Sequence, residues 1–175
     1  MTGGYGDADI LHDCTISVEK GEIAVVVGPN GAGKSTLIKV LSGVHQPTSG
    51  TMMMHGDEVH FDTPREAMNA GIATVHQDLG MIPLMSVTRN FFMGREPVKK
   101  YGPFKLFDHE YANQVTCEEM QRIGIDVRDP DQAVGTLSGG ERQTVAIARA
   151  VHFGAKVLIL DEPTSALGVA QTSMV

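Results

Sequence analysis

Gly28-Pro29-Asn30-Gly31-Ala32-Gly33-Lys34-Ser35 is the stretch of this sequence whose residue types and spacing could do chemistry. It fits a Gly-x4-Gly-Lys-Ser/Thr pattern, in which glycines let backbone N–H groups wrap phosphate oxygens and the following helix turns its positive end toward them. Lys34 would reach the β and γ phosphates, and Ser35 would set its hydroxyl on Mg²⁺. A nucleotide is the implied ligand, with Gly28, Asn30, Gly31, Gly33, Lys34, Ser35 and Thr36 as its contacts. Further along, Asp161 and Glu162 close the apolar run Val157 to Leu160. A carboxylate at such a strand end can approach the same Mg²⁺, the role expected of Asp161. Beside a γ phosphate, Glu162 could accept a proton from the attacking water or orient it. Taken alone an Asp-Glu pair reads as a solvated strand end, and only the loop at Gly28 turns it into part of a site.

These groups need elements to hold them. Ile10, Cys14, Ile16 and Val18 alternate with Asp13, Thr15, Ser17 and Glu19, the period-two pattern of a half-buried strand with antiparallel partners. Ile23-Ala24-Val25-Val26-Val27 is continuously apolar, which predicts a parallel strand covered on both faces and running straight into the glycine loop. A helix should follow, with Leu37, Ile38, Val40 and Leu41 facing the core. Thr63-Pro64-Arg65-Glu66 combines an N-cap, a first-position proline and a capping-box glutamate, so a short helix should run to about Gly71. Ile72 to His76 reads as the next strand. From Asp78 to Thr136 the pattern predicts a helical insertion, with a helix over Asp108 to Ile123 burying Ala112, Val115, Met120 and Ile123. Ser138-Gly139-Gly140-Glu141 repeats the capping-box spacing, and its helix should turn Val145, Ala148 and Val151 inward and stop at Gly154. Val157 to Leu160 is a second buried strand.

Composition narrows the setting. A chain of 175 residues with 42% hydrophobic content predicts one domain with a sizeable core. With 14 Lys plus Arg against 21 Asp plus Glu, the net charge of -7 argues against a nucleic-acid partner or an anionic lipid surface. Membrane contact would then have to run through a protein partner. The apolar runs are too short to cross a bilayer, and the N-terminus has no basic segment followed by an apolar one, so neither a transmembrane helix nor a signal peptide is expected. Cys14 and Cys117 lie in unrelated contexts, which predicts free thiols and a reducing, cytosolic setting. The seven histidines show no metal-binding spacing.

Leu137-Ser138-Gly139-Gly140-Glu141-Arg142-Gln143 resembles the signature sequence of ABC ATPases, and with it the likeness extends over the whole chain. The resemblance implies an α/β P-loop NTPase fold: a RecA-like parallel sheet core over about residues 1–77 and 137–175, an antiparallel β subdomain, and a helical subdomain over about 78–136. It implies that Tyr5 stacks on adenine and that Gln77 contacts Mg²⁺ and the attacking water. Ser138, Gly139, Gly140 and Gln143 would contact the γ phosphate held by a second ATP-binding subunit, sandwiching two ATP molecules in a head-to-tail dimer. Catalysis would then rest on Lys34, Gln77 and Glu162, and Mg²⁺ on Ser35, Gln77 and Asp161. The physical logic agrees, since a serine and two glycines at a helix N-terminus leave backbone donors open to an anion.

Within that family, Ser35 to Gly43, Ala70 to Asp78 and Phe91 to Glu96 are similar to bacterial monosaccharide importers of the ribose, xylose and fructose type. Gly168 stands where most members carry aspartate, also as in that branch. Gly4 to His12 and Gly21 to Ile23 look more like importers of branched-chain amino acids. The resemblance implies ATP hydrolysis powering import of a small solute, most simply a monosaccharide, through a membrane permease that receives solute from a periplasmic binding protein. The place would be the cytoplasmic face of the bacterial inner membrane, with the permease's coupling helix seated on residues 79–96. The ATPase of a branched-chain amino acid importer, a soluble non-transport ABC ATPase and a non-hydrolysing nucleotide-binding fragment are the other readings. Family members continue through a further helix, a buried strand and a histidine that contacts the γ phosphate, so the chain reads as C-terminally truncated and is expected to hydrolyse ATP poorly alone.

Overall fold

The computed structural model describes residues 3–5, 8–76 and 79–161, of which 3–5 and 8–10 are described by backbone only. The chain divides into two compact units, Met1–Thr74 and Val75–Val175.

In the first unit β1 (Gly3–Tyr5) pairs antiparallel with β2 (Ala8–Leu11). Helix α1 (Lys34–Leu41) follows the glycine loop and buries Thr36, Leu37 and Val40. Leu11, Leu37 and Val40 form a small core with Cys14 and Leu41 against it. β3 (Met52–Met54) and β4 (Asp57–Val59) form a hairpin, turned by His55 and Gly56 at positive φ. Helix α2 (Pro64–Ala70) starts where expected: Thr63 Oγ1 accepts from Glu66 N at 3.4 Å, and Gly71 closes the helix at φ 104°. The glutamate's return bond goes one residue further back, from Asp62 N to Glu66 Oε2 at 2.8 Å.

Two expectations for this unit fail. Cys14 to Val18 continues no strand, and Ile16 and Val18 stand 44% and 51% exposed. Ile23 to Val27 is no strand either, with Ile23, Val25 and Val27 at 77%, 76% and 84% exposure. A continuous apolar run becomes a buried strand only with ladder partners beside it and layers on both faces. Among the described residues no strand pairs with this one. What precedes it is a tight turn, with Gly21 at φ 83° and Glu22 N donating to Glu19 O at 3.0 Å.

Val75, the last residue of β5 (Ile72–Val75), opens the second unit. Just past β8 (Val157–Leu160), Asp161 N donates to Val75 O at 3.0 Å. Between them lie α3 (Val87–Phe91), α4 (His109–Arg122) and α5 (Gly139–His152), packed around Val87, Phe91, Met120, Val134, Val145 and Ala148, each 0% exposed. α4 buries Ala112 and Met120 as its periodicity requires, with Val115 and Ile123 packed beside them. Asp108 caps it by accepting from Tyr111 N at 3.2 Å.

The helical reading of this segment missed a hairpin, β6 (Val98–Tyr101) with β7 (Phe104–Phe107), turned at Gly102. The pattern turns Val151 inward, but in the last turn of α5 it is 52% exposed. β8 is less covered than a central strand, with Val157 42% exposed. No helix among the described residues is long and apolar enough to cross a membrane.

Candidate functional site

The phosphate loop of the first unit is shaped by two glycines. Gly31 and Gly33 take φ of 84° and 92°, a left-handed geometry that side chains resist. Gly33 is the N-cap of α1 and brings no side chain to the first-turn amides, nor is there an acidic residue in that turn. Those N–H groups have no intrahelical partner, so the helix start is open to an anion. A Cβ on Gly28 would meet Ala32 Cβ at 3.3 Å, which keeps the strap narrow. Lys34 Nζ folds back and donates to Gly28 O at 2.7 Å and Pro29 O at 2.9 Å, holding an ammonium across the mouth of the loop. Ser35 is exposed, while Thr36 is 5% exposed. The Ser35 hydroxyl is a hard oxygen donor of the kind Mg²⁺ takes alongside nucleotide oxygens.

In the second unit α5 begins with the capping box anticipated from its spacing. Ser138 Oγ accepts from Glu141 N at 3.3 Å, and Ser138 N donates to Glu141 Oε2 at 2.7 Å. The hydroxyl and the amide of Ser138 together hold the Glu141 carboxyl below its usual value. The box uses the amides of Ser138 and Glu141; between them Gly139 is half-buried and Gly140 buried. Arg142 Nη1 donates to Leu137 O at 3.1 Å, bracing the turn just before the cap. Gln143 sits apart from this surface, 3% exposed, with Oε1 lacking a hydrogen-bond partner. Asp161 stands partly exposed at the end of β8.

Gln77, Glu162 and the Ser165 to Gly168 stretch lie outside the described residues, and of Tyr5 only the backbone, in β1, is described. The loop from Gly28 to Thr36 falls in one unit and Ser138, Gly139, Gly140, Gln143 and Asp161 in the other. Sequence reasoning passed over Asn90, a 1% exposed carboxamide that ties down residues 82–86. No local signal marks it, since Asn90 follows Ser86-Val87-Thr88-Arg89 and its partners are the amide and carbonyls of an irregular loop.

Residues 11–165 match the ABC transporter family. The chain belongs to that family. The ribose import ATP-binding protein of Geobacillus kaustophilus is 42% identical over 163 residues, 93% of this ABC chain and 32% of its own length. The fructose import ATP-binding protein of Rhizobium meliloti is 42% identical over 176 residues, covering 98% of the chain and 67% of that protein. The ABC chain thus spans about a third of the length of several curated relatives it matches. Among solved structures, the ADP conformation of an ATP-binding cassette of an ABC transporter superposes with a TM-score of 0.81 at 26% identity, over 99% of this chain and 70% of that one. The α/β P-loop NTPase fold expected of an ABC ATPase is therefore the fold of this chain, although the strand before its phosphate loop is not formed among the described residues.

Proposed function

We propose that this chain is the nucleotide-binding part of an importer ATPase that hydrolyses ATP to move a monosaccharide through a membrane permease. The observation that carries the reading is an open helix start behind Gly28 to Ser35 on a chain 42% identical to ribose and fructose import ATP-binding proteins. In this reading the first-turn amides of α1 hold the β and γ phosphates, and Lys34 exchanges its two loop carbonyls for phosphate oxygens. Mg²⁺, held by Ser35, Asp161 and Gln77, supplies positive charge to the phosphates when bound. Tyr5 stacks on the adenine. Water oriented by Gln77 attacks the γ phosphorus as Glu162 takes its proton, and the bond to the departing ADP oxygen breaks.

The amides of Gly139 and Gly140 and the Ser138 hydroxyl serve the γ phosphate of a second ATP-binding subunit, so each site is completed head to tail. The partners are the permease at the inner face of the bacterial membrane, a periplasmic solute-binding protein beyond it, and no nucleic acid. Glu162→Gln in the full-length protein, run on gel filtration with saturating ATP and Mg²⁺, is the test. It should give an ATP-dependent dimer and turnover lowered about a hundredfold or more. Monomer alone under those conditions, with undiminished turnover, would remove the mechanism.

A further inference from the structure

Asn90 closes an exposed apolar loop whose other side is bonded to the segment leading into the signature helix. Its Oδ1 accepts from Ile82 N at 2.9 Å, and its Nδ2 lies 3.1, 3.2 and 3.0 Å from the carbonyls of Ile82, Met85 and Ser86. Two N–H bonds therefore serve three acceptors, and the carboxamide has no water to turn to at 1% exposure. With Met85 N donating to Ile82 O at 3.0 Å, residues 82–86 are closed into a loop that holds Leu84 at its crown, 92% exposed.

The other side of the same loop is bonded to the segment that leads into α5. Met85 O and Pro83 O accept from Val134 N and Gly135 N, each at 2.9 Å. Ser86 bridges Ala133, Val87 N donates to Gln132 O at 3.0 Å, and Thr88 donates to Pro130 O from its amide and its hydroxyl. The contact has no slack: a Cβ on Gly135 would lie 2.9 Å from Pro83 O and 3.1 Å from Pro83 Cβ. Val134 is 0% exposed in the core, and the 3-10 turn Val134–Thr136 passes through buried Leu137 into Ser138.

We propose that Asn90 and Gly135 are positioning residues for the signature helix, joining the Leu84 loop and residues 130–137 into one body whose displacement arrives at the Ser138 cap. The consequence for transport rests on the permease reading above: a helix seated on Leu84 moves the γ-phosphate donors of α5 directly. Contiguous packed and hydrogen-bonded segments carry such shifts when they move as one element, and here the buried anchors are Asn90, Val87, Thr88 and Val134.

The experiment uses the full-length protein carrying Gly135→Ala or Asn90→Asp, with Leu84→Ala as control. Amide exchange at Glu141, whose N–H reports the cap, and at Val134 should rise at least tenfold in both variants. Exchange within His109–Arg122 and binding of a fluorescent ATP analogue should stay within twofold, and Leu84→Ala should change neither. In a Glu162→Gln background, ATP-driven dimerisation should weaken about tenfold, which converts to about 1.4 kcal/mol. Unchanged exchange at Glu141 in both variants, or equal acceleration throughout α4, overturns the proposal. If the Glu162→Gln parent itself never dimerises, the importer mechanism falls while the exchange data still decide this linkage.

Discussion

Lys34 and Glu141 each hold a nearby backbone group with a charged side chain. The Lys34 ammonium donates to Gly28 O and Pro29 O, carbonyls that a phosphate oxygen would displace. Lys34→Met is expected to weaken ATP binding by about 1.5–3 kcal/mol, the worth of a charged hydrogen bond. Titration with a fluorescent ATP analogue reads this as a loss of one to two decades in affinity. Glu141 makes a pH prediction. Hydrogen bonds from the hydroxyl and then the amide of Ser138 hold its carboxyl below the ordinary glutamate value. A depressed carboxylate contributes stability that is present above its unfolded pKa and is lost as pH falls through the folded one. The urea midpoint of the natural chain should therefore fall relative to Glu141→Gln as pH drops below about 4.5, while the difference between the two is constant above it.

Among the elements, α2 and α5 were legible in the sequence because their starts are local chemistry. Thr63 before Pro64 and Ser138 three residues before Glu141 need no distant partner to declare a helix. Thr63→Ala should cost about 1 kcal/mol, read as a lower urea midpoint with unchanged slope. Gly43 shows the opposite case. It sits just past α1 at φ 71°, and a Cβ there would meet Thr63 O at 2.8 Å and Phe61 Cβ at 3.0 Å. That approach joins residues twenty apart, which no local pattern announces. Gly43→Ala should destabilise by about 1–3 kcal/mol through strain at positive φ alone, before the clash is added. The β6–β7 hairpin was hidden for a related reason. All but the last of its eight residues are exposed, so burial imposes no alternation on Val98 to Tyr101 or Phe104 to Phe107.

For the whole molecule the informative disagreement is at Ile23 to Val27. Five apolar residues in a row predict a buried strand, yet four of them stand 48% to 84% exposed. Exposed apolar surface of this extent binds hydrophobic dyes and other chains. The 175-residue chain should accordingly enhance 8-anilinonaphthalene-1-sulfonate fluorescence, and Val25→Lys with Val27→Lys should remove at least half of that signal without altering the α4 and α5 helical content seen by circular dichroism. Full retention of dye binding in the double variant would place the apolar surface elsewhere.

The sequence by itself determined the glycine loop at Gly28 to Ser35, the cap at Ser138 and the membership of the family. These are short-range statements: a glycine at positive φ, a hydroxyl three residues from a carboxylate, a lysine behind a turn. Tertiary structure alone decided which apolar runs are covered, that Gln143 is buried behind the signature turn, and that Asn90 and Gly135 close on the loop carrying Leu84. Each of these depends on what another part of the chain brings within hydrogen-bond or van der Waals reach. Burial is a property of the neighbours, and the pattern of one segment states only what that segment would gain if the neighbours were there.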